Sequence, residues 1–247
     1  GRILGMLSTL YLNEDRHDDA EAAATEAFEI ASDASDKLFM GTSLAQLANV
    51  QYRRDELDDA RDTYSQSAAI FEEIADHSRS AQVAVRLAHI DVKEGDLIGA
   101  NQRIDDVLVL SRREALHEPG IEAEELRGDV ARMQDDIPAA IASYQRALQH
   151  IDESGFVSRK TRITIRLANL FLDQDNLAAA EPLIGYLIDT GDSANALRVR
   201  ARYAFLKNDA TMAMELLESL KAAAADVWTE EDDRTLAQYR SVANTAD

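Results

Sequence analysis

With 247 residues, 46% of them hydrophobic, the chain is long enough for one large domain or two ordinary ones and apolar enough for a substantial core. Ten glycines and three prolines are too few for an all-β protein, and the absence of cysteine excludes disulfides, thiolate catalysis and Cys-ligated metal. A net charge of −20 excludes general affinity for nucleic acid, which requires a positive footprint.

In chain order, the first element is an apolar run at helical spacing, beginning GRILGMLSTLYL, broken by the acidic NEDRHDD and followed by a second helical run. The pattern then repeats. LSTLYLNEDRHDDA (7–20) returns as LANVQYRRDELDDA (47–60), LAHIDVKEGDLIGA (87–100), RGDVARMQDDIPAA (127–140) and LANLFLDQDNLAAA (167–180), and after a shorter step as RARYAFLKNDATMA (200–213). Each copy closes on a small residue, Ala20, Ala60, Ala100, Ala140, Ala180 and Ala213, and a second small slot holds Ser8, Ala48, Ala88, Gly128, Ala168 and Ala201. The Asp- and Asn-rich breaks suit helix N-termini, whose free N–H groups need acceptors. Each repeat therefore reads as a helical hairpin, with small residues where the paired helices approach and Leu47, Leu57, Tyr64, Leu87, Ile137 and Tyr144 in the seams.

These copies resemble the tetratricopeptide repeat, with its Leu-Gly/Ala doublet and its fixed small positions. The resemblance covers nearly the whole chain, although Arg127 and Arg200 stand where Leu is expected. A spacing of 40 between copies, against about 34 in the usual repeat, implies longer helices of the maltose-regulator and kinesin-light-chain type. The expected fold is all-α, a right-handed α-solenoid forming a single domain over 1–247. Its hairpins span about 1–35, 36–76, 77–116, 117–155, 156–190 and 191–226, with a capping helix over about 229–244 that starts at Thr229. Pro182 predicts a kink or a late start in the helix that opens near Leu177. Because Gly1 enters a helical pattern at once, the chain reads as a piece of something longer.

Enzyme signatures are absent: there is no Gly-rich phosphate loop, no H-E-x-x-H and no nucleophile elbow, so no catalytic residue, metal or cofactor is expected. The five histidines share no common spacing. Glu122, Glu125 and Asp129 read as a solvated acidic face. The informative asymmetry is that the basic residues gather on the first helix of each hairpin. Asn49, Tyr52 and Arg53 form one stripe, Arg86, His89 and Lys93 another, Arg162, Arg166 and Asn169 a third, and Arg198, Arg202 and Phe205 a fourth.

In a tetratricopeptide-like stack the first helices line the concave surface. The stripes would then make a basic, Asn-studded groove that grips an extended acidic segment, with Arg forks on carboxylates and Asn amides on peptide backbone. The competing reading is that these arginines merely balance neighbouring acids. The chaperone-binding carboxylate clamp is not expected, because Ala45, Glu122 and Leu126 occupy its polar positions. The partner is expected to be a protein or peptide, with no nucleic acid and no membrane, in the cytoplasm, as part of a bacterial signalling or regulatory protein. Two rivals remain: self-association through the apolar face around Ile3, Leu4 and Leu7, and small-molecule sensing that would use Tyr52 and Phe205.

Overall fold

The computed structural model describes residues 2–244 and contains thirteen α-helices, two short 3-10 turns and, among the described residues, no strand. The fold is an all-α helical-repeat solenoid, whose chain divides into two compact units, 1–135 and 136–247. The first unit contains α1 (Arg2–Asn13), α2 (His17–Asp33), α3 (Lys37–Arg53), α4 (Leu57–Glu73), α5 (His77–Glu94), α6 (Leu97–Glu114) and α7 (His117–Met133). The second contains α8 (Ile137–Ser154), α9 (Lys160–Asp173), α10 (Leu177–Asp189), α11 (Ala194–Leu206), α12 (Ala210–Ala223) and α13 (Glu230–Ala243).

One local device ends each helix and starts the next. Between the successive helices α1 to α7 the turn residues Asp15, Ser35, Asp55, Ala75, Gly95 and Ala115 all sit in the left-handed region, with φ between 52° and 83°. Each lies twenty residues beyond the last. The following residue closes a Schellman turn by donating its N–H to the carbonyl five residues back, as in Asp36 to Ala31 (2.8 Å), Asp76 to Phe71 (2.8 Å) and Asp96 to Asp91 (2.8 Å). Where that residue is Asp, its side chain also caps the next helix. The Asp36, Asp76 and Asp96 carboxylates accept from the N–H groups of Phe39, Arg79 and Gly99 at 3.2, 3.0 and 2.9 Å.

Of the six left-handed residues only Gly95 lacks a Cβ, and an L-residue there costs about 1–2 kcal/mol. Ala75→Gly and Ala115→Gly are therefore expected to stabilise the protein by about 0.5–1 kcal/mol each, after the greater unfolded-state freedom of glycine is subtracted. A higher urea midpoint at unchanged slope is the readout.

The small slots lie at the helix crossings. Ala20, Ala60, Ala100, Ala140, Ala180 and Ala213 are fully buried, and the Ser8 hydroxyl donates to the Ala20 carbonyl at 2.8 Å, so the two small series meet directly. Between hairpins, Val83, Leu87 and Ile90 of α5 pack against Ala48, Ala60, Tyr64 and Phe71 of the α3–α4 hairpin. Fully burying side chains of this size contributes about 1.5–3 kcal/mol each, and this is the main force joining successive hairpins. The second unit repeats the scheme, with Ala168, Leu172, Ala180 and Ile184 of α9–α10 meeting Ala196 and Val199 of α11. Its end is closed by α13, whose Leu236 and Tyr239 cover Leu217 and Leu220 of α12.

Two expectations need correction. Glu122 and Glu125 are not a solvated face: both are buried on α7, and Glu122 is held in an ion pair with Arg86 at 2.9 Å. Burial of a carboxylate is tolerable when a guanidinium neutralises it. The helix containing Pro182 does not start late. It begins at Leu177, capped by Asn176, and runs through Pro182, which lies inside it, so the carbonyl of Ala178 loses its helical N–H donor there.

Candidate protein-binding surface

The helical periods of α3 and α5 bring Asn49, Tyr52 and Arg53 alongside Arg86 and His89 at one recess of about 310 Å³, completed by Leu12 and Tyr64. Tyr64 reaches the recess from α4 and donates its hydroxyl to Asn49 Oδ1 at 2.7 Å. Burial pushes the Tyr64 phenol well above its ordinary pKa, so it remains a protonated donor. With its oxygen engaged, the Asn49 amide keeps its N–H groups for other acceptors. Arg86 pairs with Glu122 from Nη2 at 2.9 Å and lines the same recess as Asn49. Burial, reinforced by the charge of Arg86, pulls the His89 pKa down, against the opposing pull of Glu122, Asp129 and Glu125. His89 is therefore a neutral imidazole in this site at neutral pH.

The outer cations are paired across the repeat. Arg53 meets Asp15 at 3.0 Å and Lys93 meets Asp55 at 2.5 Å, each using the left-handed turn residue of the preceding hairpin as its partner. Lys93 also lies 4.8 Å above the Tyr52 ring.

The second unit places Asn169, Arg198 and Arg202 at a recess of about 480 Å³, but α13 takes up part of it. Arg198 donates from Nε and Nη2 to the two oxygens of Asp232, both at 2.8 Å, and from Nη2 to the Val227 carbonyl at 2.6 Å. Its remaining nitrogen Nη1 donates to Asn195 at 3.0 Å, so Arg198 anchors the capping helix and does not await a ligand. Phe205 stacks on Tyr239 with ring centroids 4.3 Å apart and so belongs to the cap interface. Arg202 pairs with Asp173 at 2.7 Å; on α9, Arg162 is exposed and Arg166 half-buried. Sequence reasoning missed Asn195, Glu231 and Thr235 at this recess, because nothing in the repeat indicates that α13 folds beside α11. It also missed a third recess of about 600 Å³ lined by Met6, Leu38, Phe39, Thr42, Gln46 and Arg79. The register offered a signal here, since Gln46 stands one repeat before Arg86.

The Arg198 pair and the Thr229 capping box hold the Asp232 carboxylate down at about 2. An unfolded aspartate titrates near 3.9, so this group adds stability above about pH 4 that is lost as pH falls from there towards 2. The amount is roughly 2 kcal/mol. Asp232→Asn is expected to remove that acid-sensitive step. Fluorescence of Trp228, the only tryptophan and the residue before the Thr229 cap, reports it during unfolding at pH 7 and pH 3.

Among the described residues no group of three or more His, Asp or Glu could hold a metal ion, and no helix is long and apolar enough to cross a membrane.

A family model described as a tetratricopeptide repeat-like domain matches residues 7–171. No curated protein sequence matches the chain. Among solved structures, it is similar to pilF of Pseudomonas aeruginosa, at 19% identity and TM-score 0.68 over 96% of each chain. It also resembles aspartyl phosphate phosphatase F from Bacillus subtilis, at 14% identity and TM-score 0.74 over 96% of this chain and 64% of that one. A third likeness is to a signal transduction ATPase with a tetratricopeptide repeat sensor from Pyrococcus horikoshii, at 15% identity and TM-score 0.70, where 91% of this chain covers 37% of that one.

Proposed function

We propose, because this chain belongs to the tetratricopeptide repeat-like family, that it is a non-catalytic interaction module whose first helices bind an extended acidic segment of a partner protein. The observation that carries this reading is the recess between α3 and α5, where the Asn49 amide, held through its oxygen by Tyr64, and the Arg86 guanidinium stand beside a half-buried, neutral His89. Such donors accept backbone carbonyls and carboxylates. A protein with a net charge of −20 repels acidic partners at long range, so the local donors must supply the selectivity at contact. The Arg53 and Lys93 ion pairs temper the attraction without removing it, since both are surface pairs of small net worth.

The wider reading is a scaffold or sensor portion of a bacterial signalling or transcription-regulatory protein, acting in the cytoplasm without cofactor, nucleic acid or membrane contact of its own. Its support is the acidic composition and a fold shared with a protein that carries a repeat sensor.

The test starts from peptides selected out of a random display library on the immobilised chain, whose affinities are then measured by fluorescence anisotropy. Selected peptides are expected to be rich in Asp and Glu, and the double variant Asn49→Ala, Arg86→Glu is expected to lose about 2 kcal/mol or more, roughly thirty-fold in Kd. Unchanged affinity for every selected peptide would refute the groove reading.

A further inference from the structure

We propose that the recess of about 600 Å³ lined by Met6 and Phe39 is a second subsite of the same groove, which seats a large apolar side chain of the bound segment about four residues from the carboxylate held at Arg86. This rests on the groove reading and adds a sequence requirement to it. Both recesses are formed on α1, α3 and α5. On α3 less than one turn separates Gln46, which lines the first, from Asn49, which lines the second, so the two open side by side along the helix axes. Their α3 residues centre about nine positions apart, roughly 13 Å at 1.5 Å per residue. An extended segment covers that length in about four residues.

The repeat itself sets this opening, whatever adjoins the outer side of α1. Ser43 and Val83 stand in one column of the repeat and Val50 and Ile90 in another; all four are buried, and Val83 and Ile90 pack on the preceding hairpin. Gln46 and Arg86 stand in a different column and are only half-buried, although each has a complete hairpin before it. Met6 belongs to that open column and is 68% exposed.

The lining selects the occupant. Met6, Leu38 and Phe39 give the recess apolar walls, and Arg79 at its rim is already paired with Asp76. In a chain of net charge −20 that repels an acidic segment at long range, an apolar contact supplies attraction that charge does not. Gln46 marks the crossing between the recesses. Its Nε2 donates to the Gly5 carbonyl at 2.9 Å, and its Oε1 is buried with no hydrogen-bond partner among the described residues. A carbonyl can only accept, so the amide orientation is fixed and its oxygen is left over. A backbone N–H of a segment passing from one recess to the other supplies the missing donor once the amide turns outward. Gly5 leaves room for that amide, since a Cβ there would stand 2.9 Å from it.

The peptides selected by display, measured by fluorescence anisotropy, test the subsite. They are expected to carry Leu, Ile, Met or Phe at a constant distance of about four residues from an Asp or Glu. Truncating that residue to Ala is expected to weaken binding to the parent about tenfold. In Thr42→Phe, whose ring would occupy the recess, and in Met6→Ser, which shortens its wall, the same truncation is expected to change Kd less than about twofold. Unchanged helical circular dichroism is expected for both, because neither side chain is buried. Selected peptides without an apolar residue at that spacing overturn the subsite, as does a truncation that weakens the parent and both variants equally; the groove reading then still stands on the Asn49→Ala, Arg86→Glu result. Peptides that respond to Thr42→Phe but not to Asn49→Ala, Arg86→Glu overturn the groove reading instead, and the four-residue spacing with it.

Discussion

Replacing Arg61 and Arg103 together by methionine is expected to destabilise the protein by about 3–5 kcal/mol, a large fraction of a typical folding free energy. The target of both arginines is Asp91 on α5, a carboxylate only 3% exposed. Arg61 reaches it from α4 at 2.8 Å and Arg103 from α6 at 2.7 Å, each taking one oxygen, so a single buried charge ties three successive helices together. Removal of both partners strands that charge in a site from which it cannot reach water. Either single variant is expected to cost much less, because the other guanidinium remains. The reverse substitution supplies the control. Asp91→Leu leaves two arginines that are partly exposed and free to swing into solvent, and its expected cost is about 1 kcal/mol. Urea unfolding followed by circular dichroism ranks the variants. If the double arginine variant is no less stable than Asp91→Leu, the carboxylate is not the buried charge that the geometry makes it.

The second large effect is expected at Tyr64. Its ring is almost completely buried among Ala48, Ala60, Phe71, Val83, Leu87 and Ile90, so Tyr64→Ala opens a cavity in the seam between two hairpins and should cost about 3–5 kcal/mol. Tyr64→Phe separates packing from orientation. It retains the ring, removes only the hydrogen bond to Asn49, and is expected to cost about 1 kcal/mol of stability. If Asn49 contributes to peptide binding through a fixed amide orientation, Tyr64→Phe also weakens the selected peptides several-fold while the unfolding midpoint falls far less than in Tyr64→Ala. Binding that follows stability in both variants would mean that Tyr64 serves the core alone.

Much of the fold was legible because it is built from local rules repeated in register. Asp36, Asp76 and Asp96 announce helix starts because a short acceptor side chain satisfies free N–H groups three residues on. Ala20, Ala60 and Ala100 announce helix crossings because no larger residue fits there. The stripe of Asn49, Tyr52 and Arg53 and that of Arg86 and His89 were likewise readable, since helical periodicity alone sets side chains at such spacings on one face, and both stripes meet at one recess. The twenty-residue rhythm of left-handed turns escaped notice because six different sequence contexts supply it, with Asp, Ser, Ala and Gly all adopting the same φ.

By itself, then, the sequence determined the all-α repeat, the hairpins, the capping residues and the small crossing positions, since each follows from interactions spanning a few residues or one period. Only the tertiary structure decided which partner each charge or polar group meets. Arg198 is held by Asp232 and Phe205 by Tyr239, each thirty-four residues further on; Glu122 is buried beside Arg86, and the donors of Asn49 are set by a hydroxyl from the neighbouring helix. The reason is physical: periodicity reports which face of a helix a side chain occupies, whereas the energy of a charge or a polar group depends on what lies across a gap of about 3 Å, and that neighbour is chosen by packing.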